Sequence, residues 1–386
     1  MNVPRYLKKI IEQNINKQKV IRIFGTRRTG KSTLLKDFFT QNSDNAIILQ
    51  GEDMHVQELL KTRTIKNYQK IIGQKTILMI DEAQVIPEIG NILKLMIDNI
   101  EPLNIIVTGS SSFDLQNSSG QPLVGRNIDF QMFPIAQKEL SEIENLLDTK
   151  NNLEERIIYG SYPELWHLET LEEKQNYLKQ LVENYLLKDI LMYENVLGSD
   201  ILYKLLQLLA FQCGNLVSTT ELGNALQINK ATVDRYLDLL SKVYIIFPIS
   251  GFSKNLRKEI TKSKKWYFYD NGIRNALINN FNILSQRNDV GQLWEQYFIS
   301  ERIKFNSSNL YYPQYHFWRT YDGQEIDLLE IDNYQKISAW ETKWKSDKAK
   351  IPGAFAKAYS EAEFTLINQN NYLDFIAECE KKKLIF

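Results

Sequence analysis

The stretch Gly25-Thr-Arg-Arg-Thr-Gly30-Lys31-Ser32 constrains this chain more than any other feature, because it has the form GxxxxGK[ST] in a definite setting. It lies between the apolar β-branched run Val20–Phe24 and the amphipathic run Ser32–Phe39. A strand, a glycine-rich loop and a helix in that order bring backbone N–H groups together at a helix N-terminus, where a polyphosphate is held. The candidate nucleotide-binding residues are Gly25, Thr26, Arg27, Arg28, Thr29, Gly30, Lys31, Ser32 and Thr33. Lys31 is expected to reach the β and γ phosphates, and the Ser32 hydroxyl to bind Mg2+.

A second motif supports the first. Thr76-Ile-Leu-Met-Ile80 is an apolar strand that ends in Asp81 and Glu82. Asp81 suits the magnesium shell, and Glu82 suits polarisation of an attacking water. The run Asn104–Thr108 ends in hydroxyls, so Thr108 or Ser110 is a candidate γ-phosphate sensor at the C-terminal edge of a parallel sheet. A plain helix N-cap is the competing reading. Arg126, after Leu123-Val-Gly125, is either a finger offered to a neighbouring subunit's nucleotide or an ordinary surface arginine. The finger reading makes a second copy of the chain a candidate partner.

Residues 18–150 alternate β-branched runs (Val20–Phe24, Ala46–Leu49, Thr76–Ile80, Asn104–Thr108) with amphipathic stretches, the pattern of strands and crossover helices around a parallel sheet. From 151 to 215 strands vanish and helical spacing takes over, notably through Asn176–Tyr193. At 386 residues the chain has room for two to four domains. Its 47 basic residues balance 47 acidic ones, so any nucleic-acid surface must be local. Cys213 and Cys379 stand far apart without a CxxC, which excludes a disulfide framework and a zinc knuckle and suits a reducing, cytoplasmic location. No apolar run is long enough for a membrane span, and Met1–Arg5 leads into no secretory core.

With these motifs in place, nearly the whole chain resembles the prokaryotic AAA-type ATPases whose second half is the DUF4143 region. The resemblance rests on the phosphate loop, Asp81-Glu82-Ala-Gln84, Gly125-Arg126, Phe133-Pro134-Ile, Gly160-Ser-Tyr162-Pro163, Tyr185 with Lys188-Asp189-Ile190, and Gly291-Gln-Leu-Trp-Glu295. The family usually has Arg-Asp where this chain has Lys188-Asp189. The resemblance implies ATP, since no guanine-reading NKxD motif is present, and it implies that Gly160 and Pro163 lie near the nucleotide. A helix-breaking turn is the other reading of those two residues.

Ser218–Leu226, the turn Gln227-Ile-Asn229 and Lys230–Leu240 form a helix-turn-helix pattern, followed by the apolar strands Tyr244–Ile249 and Trp266–Tyr269. Lys230, Thr232 and Arg235 would face a DNA groove, while Val233, Leu237 and Leu240 pack inward. The intervening wing carries six cations within twelve positions, among them Lys254, Arg257, Lys258, Lys264 and Lys265. Its alternative role is a protein-interaction module.

Farther on, Glu325-Ile-Asp327 and Glu341-Thr-Lys343 have the spacing that a PD-(D/E)xK site resembles. Asp327, Glu341 and the helical Glu295 would hold a magnesium ion, with Lys343 beside the scissile phosphate. A surface Glu/Lys pair on an edge strand is the competing reading. The expectation is an α/β protein with four parts: an AAA/ASCE-type P-loop NTPase domain on a parallel sheet (1–150), a helical lid (151–215), a winged helix (216–270) and a PD-(D/E)xK-like α/β domain (271–386). ATP and Mg2+ are the expected cofactors, DNA is a candidate partner, and no membrane association is expected. The rival reading is a nucleotide-switched scaffold with an inactive nuclease-like domain.

Overall fold

In the first part of the chain, apolar runs buried on both faces pair into an all-parallel sheet. The strands are β1 (Val20–Phe24), β2 (Ala46–Gln50), β3 (Ile77–Asp81), β4 (Asn104–Gly109) and β5 (Asn127–Gln131), in the order β2-β3-β4-β1-β5. The structure, a computed structural model, describes residues 3–110, 123–186, 199–252 and 264–377. Alternation along β1 sends Val20 and Phe24 into one core and Ile21 and Ile23 into the other. Helices α1 (Tyr6–Asn14) and α2 (Lys31–Gln41) cover the Ile21/Ile23 face, and α3 (Met54–Lys61), α4 (Ile65–Ile72) and α5 (Ile89–Asn99) cover the other. With β4 inserted between β1 and β3, three strand ends share one edge: Phe24 is in register with Gly109, and Ile80 with Val107.

Strand β5 does not stand out in the sequence. Asn127-Ile-Asp-Phe-Gln alternates polar and apolar residues, as an edge strand does. It is fixed to β1 by backbone pairing and by Arg22, which grips the Asp129 carboxylate through two hydrogen bonds of 2.7 and 2.6 Å.

The chain divides into two compact units, Pro4–Phe133 with Lys242–Tyr244, and Pro134–Ser241 with Ile245–Phe386 and Met1–Val3. The main stretch of the first compact unit thus ends at Phe133. In the second unit a seven-stranded sheet has the order β12-β11-β10-β9-β7-β8-β6. Its strands are β6 (Leu216–Val217), β7 (Ile246–Gly251), β8 (Lys264–Phe268), β9 (Gln314–Arg319), β10 (Glu325–Ile331), β11 (Ile337–Thr342) and β12 (Glu363–Ile367). Because β7 runs parallel to β9 and hydrogen-bonds to it, a cut at 270/271 would pass through one sheet. Segments 216–270 and 271–386 therefore share a framework.

The expected helix pair is present at Thr219–Leu226 and Lys230–Lys242. Ser218 Oγ accepts from Glu221 N–H at the first, and Asn229 Oδ1 accepts from Thr232 N–H at the second, so each start has its own polar cap. Helical structure also runs through Leu171–Gln180 and Leu181–Leu186. Lys188-Asp189-Ile190, Lys254, Arg257, Lys258 and Cys379 lie outside the described residues.

Candidate functional site

The phosphate loop follows β1 and closes on helix α2. Its first glycine is demanded by proximity: a Cβ on Gly25 would lie 2.1 Å from the Met132 carbonyl oxygen, which the loop crosses as it leaves the sheet. Thr29 Oγ1 donates to the Thr26 carbonyl at 2.9 Å and holds the loop folded. Lys31, only 4% exposed, donates from Nζ to the carbonyls of Gly25 (2.8 Å) and Thr26 (2.9 Å). The ammonium thus lies over the loop, within the ring of backbone groups that phosphates would enter. Arg5, unremarkable in the sequence, donates to the carbonyls of Thr29 (2.7 Å) and Phe133 (2.6 Å) and ties α1 to the loop.

At the same sheet edge, Asp81 ends β3 with its side chain buried. Thr108, fully buried on β4, donates its hydroxyl to Asp81 Oδ1 at 2.5 Å and accepts the Glu82 N–H at 3.0 Å. One hydroxyl thus ties the Asp81 carboxylate and the Glu82 backbone together at the sheet edge. Glu82 adopts a left-handed backbone (φ 49°), a costly conformation for a residue with a side chain. Gln84 Nε2 donates to Glu82 Oε2 at 2.5 Å and reaches Ser110 Oγ at 3.4 Å. A magnesium ion in such a site uses one or two protein oxygens together with phosphate and water, and Asp81 with Ser32 matches that donor set. Arg126 lies at the other edge: its carbonyl accepts from Val20 N–H at the start of β1, roughly 13 Å of strand away from the loop. Its side chain pairs with Asp98 at 2.6 Å.

The second unit gathers the four expected nuclease residues around a fifth that sequence reasoning placed elsewhere. A register shift between Ile326 and Leu329 of β10 inserts one extra residue beside Asp327, a bulge of the kind that re-aims a side chain. Asp327 Oδ2 accepts from both the N–H and the hydroxyl of Thr342, each at 2.8 Å. Lys343 pairs with Glu341 at 2.7 Å, so the two share a face as their spacing predicts. Glu295, on the helix Val290–Ser308, accepts from the Tyr267 hydroxyl at 2.5 Å.

Lys265 closes this cluster. It was expected among the exposed DNA-binding cations, but it is 2% exposed and pairs with Glu325 at 2.5 Å and Glu295 at 3.3 Å. Reading a basic run locally cannot reveal that β8 is buried from Lys265 to Phe268 while Lys264 stays exposed. Among the described residues, no three His, Cys, Asp or Glu side chains stand where they could hold a metal ion. The expected magnesium shell of Glu295, Asp327 and Glu341 is not assembled in this structure, because the carboxylates are turned onto amines, hydroxyls and an N–H. Burial, with the Asp327 charge adding to it, pushes Glu295 up to about 7 against the pull of Lys265. Burial likewise raises Glu341, with Asp327 adding to the effect. For Lys265 burial acts downward, yet the carboxylates of Glu295, Glu325 and Asp327 outweigh it and hold the ammonium protonated. Cys213, buried and pushed up to about 12, is not poised as a nucleophile.

Lys230 and Arg235 of the second helix of the pair are exposed, and Arg235 stacks 5.4 Å from the Tyr236 ring centre. Gly160 and Pro163 belong to the second unit, where Gly160 abuts the Asp270 carboxylate.

The AAA domain family matches residues 17–141. Two domains of unknown function follow, DUF8612 at 150–283 and DUF4143 at 290–380. An uncharacterized protein of Haemophilus influenzae is 26% identical over 362 residues, covering 82% of this chain and 87% of its own. One from Methanocaldococcus jannaschii is 24% identical over 387 residues, covering 93% of this chain and 82% of its own. Among solved structures, the RuvB Holliday junction branch migration motor of Thermotoga maritima aligns over 64% of this chain and 89% of its own at 14% identity and a TM-score of 0.31. The Pif1 helicase of Candida albicans aligns over 47% of this chain and 48% of its own, at 14% identity and a TM-score of 0.27. Likenesses this loose carry nothing about activity. Among the described residues, no helix is long and apolar enough to cross a membrane.

Proposed function

The chain joins a nucleotide-binding P-loop AAA domain to a DUF4143 region, and from that premise we propose that it hydrolyses ATP with magnesium and couples the cycle to a DNA-associated role of the second unit. The observation that carries hydrolysis is the convergence at one sheet edge of Lys31, Asp81, Glu82 and Thr108, brought there by β1, β3 and β4. Bound magnesium would supply charge neutralisation between the phosphates, held by Ser32 and Asp81. Lys31 leaves the loop carbonyls for the β and γ phosphate oxygens, a shift of partner within the same loop. Glu82, held from one side by Gln84 and from the other by Thr108, orients and deprotonates the attacking water. Glu82→Gln is expected to keep ATP binding and to slow turnover by about 100-fold or more, the usual contribution of a general base. Equal loss of binding and turnover would make Glu82 structural.

The DNA role rests on the exposed Lys230 and Arg235 of a capped helix, with Lys264 exposed at the start of β8. Fluorescence anisotropy of duplex DNA over a salt series tests it. Binding that weakens steeply with salt and less steeply in the Lys230→Ala/Arg235→Ala variant supports contact with phosphates. Salt-independent or absent binding refutes it. One observation favours the second reading, a nucleotide-switched scaffold with a silent nuclease-like domain: a lysine fills the acidic cluster. Arg126 as a finger in trans remains part of the proposal, tested by whether Arg126→Ala and Lys31→Ala proteins restore activity when mixed.

A further inference from the structure

We propose that Lys265 is a built-in cation: its ammonium, paired with Glu295 and Glu325 beside the bulge that carries Asp327, occupies the place that a divalent ion would need. The cluster is thereby closed to metal in this chain, and replacing Lys265 with a neutral side chain turns it into a divalent-cation site. The inference is independent of the nucleotide reading.

The geometry is specific. Lys265 stands on β8, separated from β10 by β7 and β9 in the sheet order. Its side chain passes the Phe317 ring of β9, with Nζ 5.5 Å from the ring centre, to reach Glu325. A lysine lying across apolar surface with its head on two carboxylates is committed to them, because a buried ammonium without partners is expensive. The carboxylates are committed as well. Tyr267 and Lys265 share Glu295 Oε1, Arg319 approaches Glu325 Oε2 at 3.4 Å, Thr342 takes Asp327 Oδ2, and Lys343 takes Glu341 Oε1.

Charge makes the same point. Glu295, Glu325, Asp327 and Glu341 face Lys265, Lys343 and Arg319, so the cluster comes close to neutrality. A dication entering it would meet the Lys265 ammonium at contact range and would have to expel a buried lysine. Without that ammonium, carboxylates from the bulged β10 and from the helix Val290–Ser308 remain around a space walled by Tyr267 and Phe317. Hard divalent ions take such oxygen donors, with affinity set by the number of ligand charges.

Mn2+ titration of the full-length, nucleotide-free protein, read by electron paramagnetic resonance of the free ion, tests this. Wild type and Asp327→Asn should take up Mn2+ indistinguishably below ~1 mM. Lys265→Met should gain one Mn2+ site, about tenfold or more tighter than any uptake by wild type, as expected when a competing charge is removed. Adding Asp327→Asn to that variant should abolish the site, and Lys265→Gln should behave like Lys265→Met. Wild-type Mn2+ binding that Asp327→Asn removes would overturn the proposal, and that comparison decides even where a Lys265 variant does not fold. Folded Lys265→Met and Lys265→Gln proteins that gain no Mn2+ would overturn it equally.

Discussion

Gly160→Ala is expected to destabilise the second unit severely, and the size of the effect follows from two contacts. Gly160 has φ 76° and ψ −155°, a region open to little but glycine, which costs a residue with a side chain about 1–3 kcal/mol. A Cβ would also lie 2.0 Å from Asp270 Oδ1 and 2.6 Å from Oδ2. That carboxylate is buried and accepts from the N–H groups of Ser161 (2.7 Å), Gly272 (2.9 Å) and Ile273 (3.3 Å). It cannot retreat by an ångström without giving up at least one of them, and a hydrogen bond to a charged group contributes about 1.5–3 kcal/mol. Together the two effects come to about 3–5 kcal/mol. All six tryptophans lie at or beyond Trp166, so tryptophan fluorescence reports the second unit. With a urea slope of about 3 kcal/mol/M for a unit of this size, the midpoint should fall by about 1–2 M. A double-mutant cycle isolates the clash: in an Asp270→Gly background, Gly160→Ala should cost only the backbone strain. A loss under about 1 kcal/mol in the wild-type background would refute the argument, since strain alone should exceed it.

Thr108→Val should leave Asp81 Oδ1 and the Glu82 N–H without their shared partner. Turnover is expected to drop about tenfold or more with ATP affinity nearly kept, because a misplaced acid acts on the chemical step; an unchanged kcat would return Thr108 to a packing role. Asp289 is half-buried, and although burial opposes it, Arg287 and Arg274 hold its carboxyl down to about 2. A depressed carboxylate contributes stability above its unfolded value and loses it as pH falls through the folded one, so the contribution is full at neutral pH and disappears between about pH 4 and 2. Asp289→Asn should therefore lose about 1–2 kcal/mol at pH 7, allowing for solvent screening, and flatten the acid limb of a denaturation series. An acid limb as steep as that of the wild type would contradict this.

What could be read from the sequence was whatever chemistry is encoded locally. The phosphate loop is one contiguous stretch and Asp81-Glu82 another, and the strands that precede them are apolar enough to declare themselves, so strands and site residues emerge together. The helix pair is legible for the same reason, since Ser218 and Asn229 mark its two starts. Strand β5 escaped because an edge strand with Asn127, Asp129 and Gln131 has no apolar run. Lys265 was misread for a deeper reason. A lysine in a basic stretch reads as solvated, and only the register of β8 against β7, with β7 joined to β9, brings it under the Glu325 carboxylate. The same pairing runs across the boundary expected at 270/271, which stands where the expected strand Trp266–Tyr269 ends. Arg5 acts through geometry alone: it holds loop carbonyls, and it carries no spacing that would single it out. Gln84 belongs to the Asp81-Glu82-Ala-Gln84 motif, but only the folded chain shows that it holds the Glu82 carboxylate.

The central claim is that the edge formed by β1, β3 and β4 is a site of ATP hydrolysis, and steady-state phosphate release from MgATP by wild type and Lys31→Ala tests it most directly. The account predicts turnover by wild type that needs magnesium and disappears in Lys31→Ala, with tryptophan-monitored stability of the second unit unchanged. Lys31→Ala protein that hydrolyses MgATP at close to the wild-type rate would contradict it.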